Sequence, residues 1–264
     1  MVDYSRYQAI KVEKKDKVAL ATLNRAERNP IDPDVHDELE DLLEDLGRDD
    51  EIDAIVLTGA GRVFSAGGNI KGMQARIADP SLPRTEMSAC YRLINNFVNL
   101  EKPLIGAVNG HATGLGATIA LFCDVVFLAE NARIGDPHVS VGLVAGDGGS
   151  VIWPLLVGVA RAKQYLMTGD LIDAKEAERI GLVNKVLPQE EVLPAAMAFA
   201  QRLANGPTKA ISWTKQSINQ HLKQAMNLVL PTSLATEFLS LQTADHEEAV
   251  NAFVEKRSPH FTGK

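Results

Sequence analysis

Two segments of this chain are best suited to hold a reacting oxygen: Phe64-Ser65-Ala66-Gly67-Gly68-Asn69 and Asn109-Gly110-His111-Ala112-Thr113-Gly114-Leu115-Gly116. Each follows an apolar, strand-like run (residues 54–58 and 103–108) and precedes a helical pattern. Glycine at a strand-to-helix turn permits backbone angles that other residues resist, and it leaves N–H groups bare enough to meet a ligand. Two such turns side by side place two backbone donors on one oxygen, the chemistry of an oxyanion hole.

The elements that position these turns alternate. Residues 18–23 read as a strand. Asp32-Pro33 starts a helix with Asp as cap and Pro in the first turn, and the stripe Val35/Leu39/Leu42/Leu43/Leu46 follows it. Strands are expected at 54–58, 104–108, 125–129 and 133–135, with helices over 85–100 and 117–122 and a loop at 79–83. This alternation predicts an α/β layer with parallel strands. After about residue 148 helix follows helix: a capping box at Asp173-Ala174-Lys175-Glu176, then helical patterns over 190–203, 208–222, 234–243 and 247–256, with one strand over 182–186 between them. The expected organisation is a core over residues 1–200 and a helical region over 201–264.

Composition narrows the function classes. The 264 residues are 45% hydrophobic and 23% charged, ordinary for a globular protein. A net charge of -7 and a sequence pI near 5.4 argue against nucleic-acid and anionic-membrane surfaces. The chain shows neither a signal-peptide core nor an apolar run long enough to span a bilayer. Two cysteines, Cys90 and Cys123, fit a reduced compartment as buried apolar residues, so a cytoplasmic setting is expected.

Set in order, Asn24-Arg25, Phe64 to Asn69, Ala107-Val108-Asn109-Gly110, Cys123-Asp124, Gly142-Leu143 with Gly148-Gly149, Ala174 through Gly181-Leu182-Val183, and Ala252-Phe253-Val254-Glu255-Lys256-Arg257 resemble the crotonase (enoyl-CoA hydratase/isomerase) superfamily along nearly the whole chain. The resemblance implies a crotonase-like spiral of ββα turns with a helical C-terminal trimerisation region. It implies acyl-CoA thioesters as substrates, a homotrimer or dimer of trimers, and neither a metal nor a separate cofactor, coenzyme A arriving with the substrate. The thioester oxygen is then expected between the backbone N–H groups of Ala66 and Leu115. Fixed donors there stabilise an enolate more than the ground-state carbonyl. The Gly67, Gly68 and Asn69 turn and Gly114 are expected at the substrate, with Arg28 and Lys71 along the coenzyme A path, where a solvated surface role is the competing reading. Trp153 and the Met73/Ile77 side read as acyl-pocket wall or core.

The chain departs from the family where the chemistry is done. The two glutamates usual in hydratases correspond by motif to Thr118 and His138, and a threonine is no base near neutral pH. The replacements lie in the loop Gly135-Asp136-Pro137-His138-Val139-Ser140-Val141-Gly142-Leu143-Val144-Ala145-Gly146-Asp147-Gly148-Gly149. His138 has the intrinsic pKa for acid–base work. Asp147 either orients it or accepts a proton, or serves as the N-cap of the next helix. Glu237 is a candidate third polar group, or a surface carboxylate. His111 reads as a structural residue of its turn.

Three functions follow. The first is hydratase- or isomerase-type chemistry through a thioester enolate, with a His138/Asp147 pair. The second is a hydrolase, either cleaving a C–C bond of a β-dicarbonyl compound, as the narrower resemblance to 6-oxocamphor-hydrolase-type crotonases implies, or cleaving the thioester. The third is a homologue that binds acyl-CoA without catalysis.

Overall fold

The computed structural model describes residues 2–25, 28–82 and 85–264. The chain opens with an antiparallel hairpin, β1 (Ile10–Lys15) and β2 (Val18–Leu23), turned by Asp16 and Lys17, which both have positive φ as a tight two-residue hairpin requires. A short strand β3 (Pro30–Ile31) leads into α1 (Pro33–Arg48), where Asp32 caps the Val35 N–H as the sequence predicts. Next come β4 (Ala54–Gly59), β5 (Gly67–Gly68), α2 (Ile70–Ala78) and α3 (Met87–Asn99). The expected loop at 79–83 ends on Pro83, which lies outside the described residues.

The second turn repeats the plan with β6 (Leu104–Val108), β7 (Ala112–Thr113), α4 (Leu115–Leu121), β8 (Val125–Ala129) and β9 (Arg133–Gly135). After these come α5 (Gly149–Val157), α6 (Val159–Thr168), β10 (Ile172–Asp173), α7 (Ala174–Arg179), β11 (Lys185–Leu187) and α8 (Gln189–Ala204). The large sheet runs β1-β2-β4-β6-β8-β11, parallel from β2 onward, and its interior strands are apolar apart from Thr22 and Thr58. A smaller sheet, β10-β9-β7, and the pair β3-β5 stand beside it.

The C-terminal part differs from expectation in one respect. Residues 208–222 and 234–240 are not in separate helices but share α9 (Thr208–Ser240), which carries Pro231 inside it, and 241–243 lie past its end. Met226, Leu230 and Leu234 are buried on one face across that proline, so packing carries the helix through the lost backbone hydrogen bond. The last helix, α10 (Ala244–Glu255), lies against α2.

Candidate active site

The two glycine turns meet as the sequence predicts. Gly67 has φ +74°, and a side chain there would collide with the Thr113 carbonyl, so the first turn crosses the second with backbone against backbone. This crossing separates two cavities. One, of about 850 Å³, is lined by Ser65, Ala66 and Thr113 together with Arg25, Arg28, Arg62 and Arg133. The other, of about 500 Å³, is lined by Gly68, Asn69, Leu115, His138, Asp147 and Glu237, with Met73 and Ile77 on its wall.

The backbone donors divide between these cavities. The Ala66 N–H is bonded to the Arg28 carbonyl at 3.0 Å and so has a partner of its own. Leu115 is the first residue of α4, where N–H groups have no helical acceptor, and it lines the second cavity at the positive end of that helix. On the first turn the group that matches it is the Gly68 N–H. Pro30 pairs with Gly67 and Ile31 with Gly68. Because Pro30 has no N–H, that ladder runs through Gly67 and Ile31, which turns the Gly68 N–H out of it. Asn69 lines the cavity and caps α2 through the Gly72 N–H at 3.1 Å.

The side-chain chemistry gathers on one imidazole. His138 Nδ1 contacts the Asp136 carboxylate, which also accepts from the His138 backbone N–H at 3.3 Å. Its Nε2 lies 3.3 Å from Asp147 and 4.0 Å from Glu237. Asp147 accepts in turn from the Thr118 hydroxyl at 3.4 Å. The N-cap alternative for Asp147 does not hold: Gly148 occupies that position, and no side chain bonds the first turn of α5. Gly148 has φ +114°, with Thr118, Ile94 and Phe122 packed where a side chain would go, so it fixes the direction of Asp147.

Burial works against charge on His138, but the Asp136 and Asp147 carboxylates outweigh it and hold the imidazole well above its ordinary pKa. Burial, reinforced by the charge of Asp147, pushes the Glu237 carboxyl up to about 8. At neutral pH the cavity therefore presents an imidazolium and a protonated Glu237 beside Asp147. Ligand atoms of Asp136, His138 and Asp147 lie within 4.8 Å of one another, but the carboxylates address opposite ring nitrogens, an arrangement that holds protons on the ring.

These distances also sort the remaining sequence-predicted residues. Arg28 lines the arginine-rich cavity. Lys71 is exposed on α2 and lines neither cavity. Trp153 is fully buried against Tyr165, the core side of its two expected places, and it does not line the smaller cavity as a substrate contact would. His111 is structural, its Nδ1 accepting from the Arg133 N–H at 2.9 Å. Cys123 is buried as expected, whereas Cys90 is only partly buried and lines the smaller cavity. Sequence reasoning passed over Asp136, although it stands two residues before His138 across a proline, which favours a local turn. It also passed over His36, which joins the wall of the smaller cavity.

A family model described as Enoyl-CoA hydratase/isomerase matches residues 13–264. The chain belongs to the enoyl-CoA hydratase/isomerase family. It is 35% identical over 261 residues to a crotonyl-CoA hydratase of Syntrophomonas wolfei, covering 98% of this chain and 99% of that one. It is also 35% identical over 253 residues to a 1,2-epoxyphenylacetyl-CoA isomerase of Escherichia coli, covering 94% and 95%. The crystal structure of an enoyl-CoA hydratase/isomerase from Mycobacterium paratuberculosis superposes with a TM-score of 0.87 at 36% identity, covering 92% of this chain and 97% of that one. This enoyl-CoA hydratase/isomerase relative is accordingly an enzyme of the crotonase fold, with a helical C-terminal region. No helix among the described residues is long and apolar enough to cross a membrane.

Proposed function

We propose that the chain acts on an acyl-CoA thioester through an enolate, with Leu115 and Gly68 supplying the donors to the thioester oxygen. The reading keeps Leu115 from the sequence and replaces Ala66 by Gly68, because the Ala66 N–H is engaged with Arg28. The observation that carries it is the placement of His138 Nε2 and Asp147, 3.3 Å apart, in the same cavity as Leu115. Asp147 takes a proton from the carbon next to the carbonyl, and the electron pair of that C–H bond moves onto the thioester oxygen. His138, held as an imidazolium by Asp136, donates its Nε2 proton to carbon when the enolate collapses. Thr118 steadies Asp147. Neither step requires the two glutamates usual in hydratases.

The arginine-rich cavity on the far side of the crossing supports a coenzyme A substrate. Arg28, Arg62 and Arg133 line it, and among the described residues none of the three is ion-paired. On an acidic protein this local excess of guanidinium groups suits phosphates. A homotrimer or dimer of trimers belongs to the same proposal, supported by exposed apolar side chains such as Trp213, Ile218 and Leu228 on α9.

Glu237 favours one second reading. A protonated carboxyl 4.0 Å from His138 suits a hydrolase that positions water and cleaves a C–C bond next to a carbonyl. The two readings separate in heavy water with a panel of enoyl-CoA, 3-oxoacyl-CoA and CoA-free β-diketone substrates, products being identified by mass. Water addition or deuterium at the α carbon supports the enolate reading. Chain-cleaved products support the hydrolase, and inertness across the panel contradicts both.

A further inference from the structure

Three histidines line the smaller cavity: His138 carries the proposed chemistry, His246 is bonded through Nδ1 to the Val141 carbonyl, and His36 is left without a task. It lies in the first turns of α1, only 2% exposed, and lines the cavity with His138, Asp147 and Cys90. Among the described residues neither of its ring nitrogens has a hydrogen-bond partner. The nearest carboxylate, Asp37, lies 4.0 Å from Nδ1, beyond hydrogen-bond reach, and is turned to solvent. A buried imidazole with both nitrogens unsatisfied is destabilising relative to an apolar side chain of similar shape. A purely structural role would be served better by leucine, since the other buried side chains of α1 are Val35, Leu39, Leu42, Leu43 and Leu46.

We infer that His36 is a specificity-determining residue that binds a neutral oxygen on the acyl group, an oxo oxygen beyond the thioester, so that the preferred substrate is an oxo-functionalised acyl-CoA. The inference rests on the acyl-CoA reading above. Burial holds the imidazole in its neutral form, leaving one N–H to donate and one nitrogen to accept. A carboxylate on the acyl group gains little here, because Asp32, Asp147 and Glu247 line the cavity alongside Arg76 and His138. A plain alkyl group leaves both nitrogens unpaired in the complex, which is the situation in which polar sites discriminate strongly.

The test is calorimetric titration of the full-length protein and of His36→Leu with hexanoyl-CoA, its 4-oxo and 5-oxo counterparts, and adipyl-CoA. Wild type is expected to bind one of the oxo thioesters about 10- to 100-fold more tightly than hexanoyl-CoA. His36→Leu is expected to bring that preference within about threefold while leaving hexanoyl-CoA affinity unchanged and the melting temperature equal or higher. Equal binding of oxo and alkyl chains by wild type overturns the inference and leaves the acyl-CoA reading standing. So does a preference that survives in His36→Leu, or one for adipyl-CoA. Failure of every thioester to bind removes both readings together. A His36→Leu protein that melts lower assigns His36 to structure; His36→Gln, which keeps a donor and an acceptor, then decides whether the oxo preference depends on them, and its loss in that variant also counts against the inference.

Discussion

Replacing Glu237 by glutamine should make the protein more stable, and the gain should depend on pH. Glutamine keeps the shape of a protonated glutamate, so the substitution removes the ionisation and little else. The Glu237 carboxyl titrates at about 8 in the folded chain against an ordinary value of 4.5. A carboxyl with a raised folded pKa retains its proton in the native state after the unfolded chain has lost it, so stability falls as pH rises between these two values. Each pH unit in that window costs about 1.4 kcal/mol, or about 3 kcal/mol by pH 7 and under about 1 kcal/mol at pH 5. For a chain of this length that corresponds to roughly 6–12 °C in melting temperature at pH 7. The assay is thermal unfolding of wild type and Glu237→Gln from pH 5 to 8.5. The curves should nearly coincide at pH 5 and diverge upward for the variant, while turnover in the enolate reading changes little. The electrostatic effect of His138 is common to both proteins and largely cancels. Melting temperatures that stay parallel across the range would refute a protonated, buried Glu237.

Asp136→Asn should return the His138 imidazole toward its ordinary pKa, because one of the two carboxylates that raise it is gone. The ring-proton chemical shift followed by NMR reads this directly, with turnover falling roughly 10²- to 10⁴-fold. His138→Ala should abolish turnover while acyl-CoA affinity, measured by titration, changes less than about threefold, since the oxygen donors are backbone groups. Gly148→Ala should destabilise by about 2–4 kcal/mol in urea unfolding, because its φ of +114° and Thr118 Cγ2 2.8 Å from the new carbon both oppose a side chain.

The fold was legible wherever local chemistry and packing agree. Asp32-Pro33, Asp173 and the glycine turns act as their residue types predict, since caps and positive-φ turns are decided by a few neighbouring atoms. The run through Pro231 was not legible, because tertiary burial of Met226, Leu230 and Leu234 overrides a local helix breaker. At the site, His138, Asp147, Glu237 and Leu115 were all readable as candidates and converge on one cavity. Their division of labour was not. Whether Ala66 or Gly68 offers its N–H depends on the register of β3 against β5, and a pairing between segments more than thirty residues apart has no local signature. Asp136 was hidden for a related reason: two residues before His138, its role depends on the loop folding its carboxylate back onto the ring. His36 had a signal in its spacing, three residues before Leu39 and seven before Leu43 on the buried face of α1, but a histidine on such a face is ordinarily satisfied core.

The central claim is that backbone donors at the crossing of the two turns stabilise a thioester enolate. Leu115→Pro tests it with unusual economy. Proline is tolerated at the first position of a helix, and Gly114 ahead of it sits at φ 55° and ψ -131°, the mirror image of an extended conformation open to glycine. The change therefore deletes one N–H while α4 remains. The measurement is exchange of the α protons of an acyl-CoA thioester in heavy water by wild type and by Leu115→Pro, with folding checked by melting temperature. Exchange by wild type that drops about 10²- to 10³-fold in a folded Leu115→Pro is the result this account predicts. Equal exchange by both proteins, or none by wild type, would contradict it.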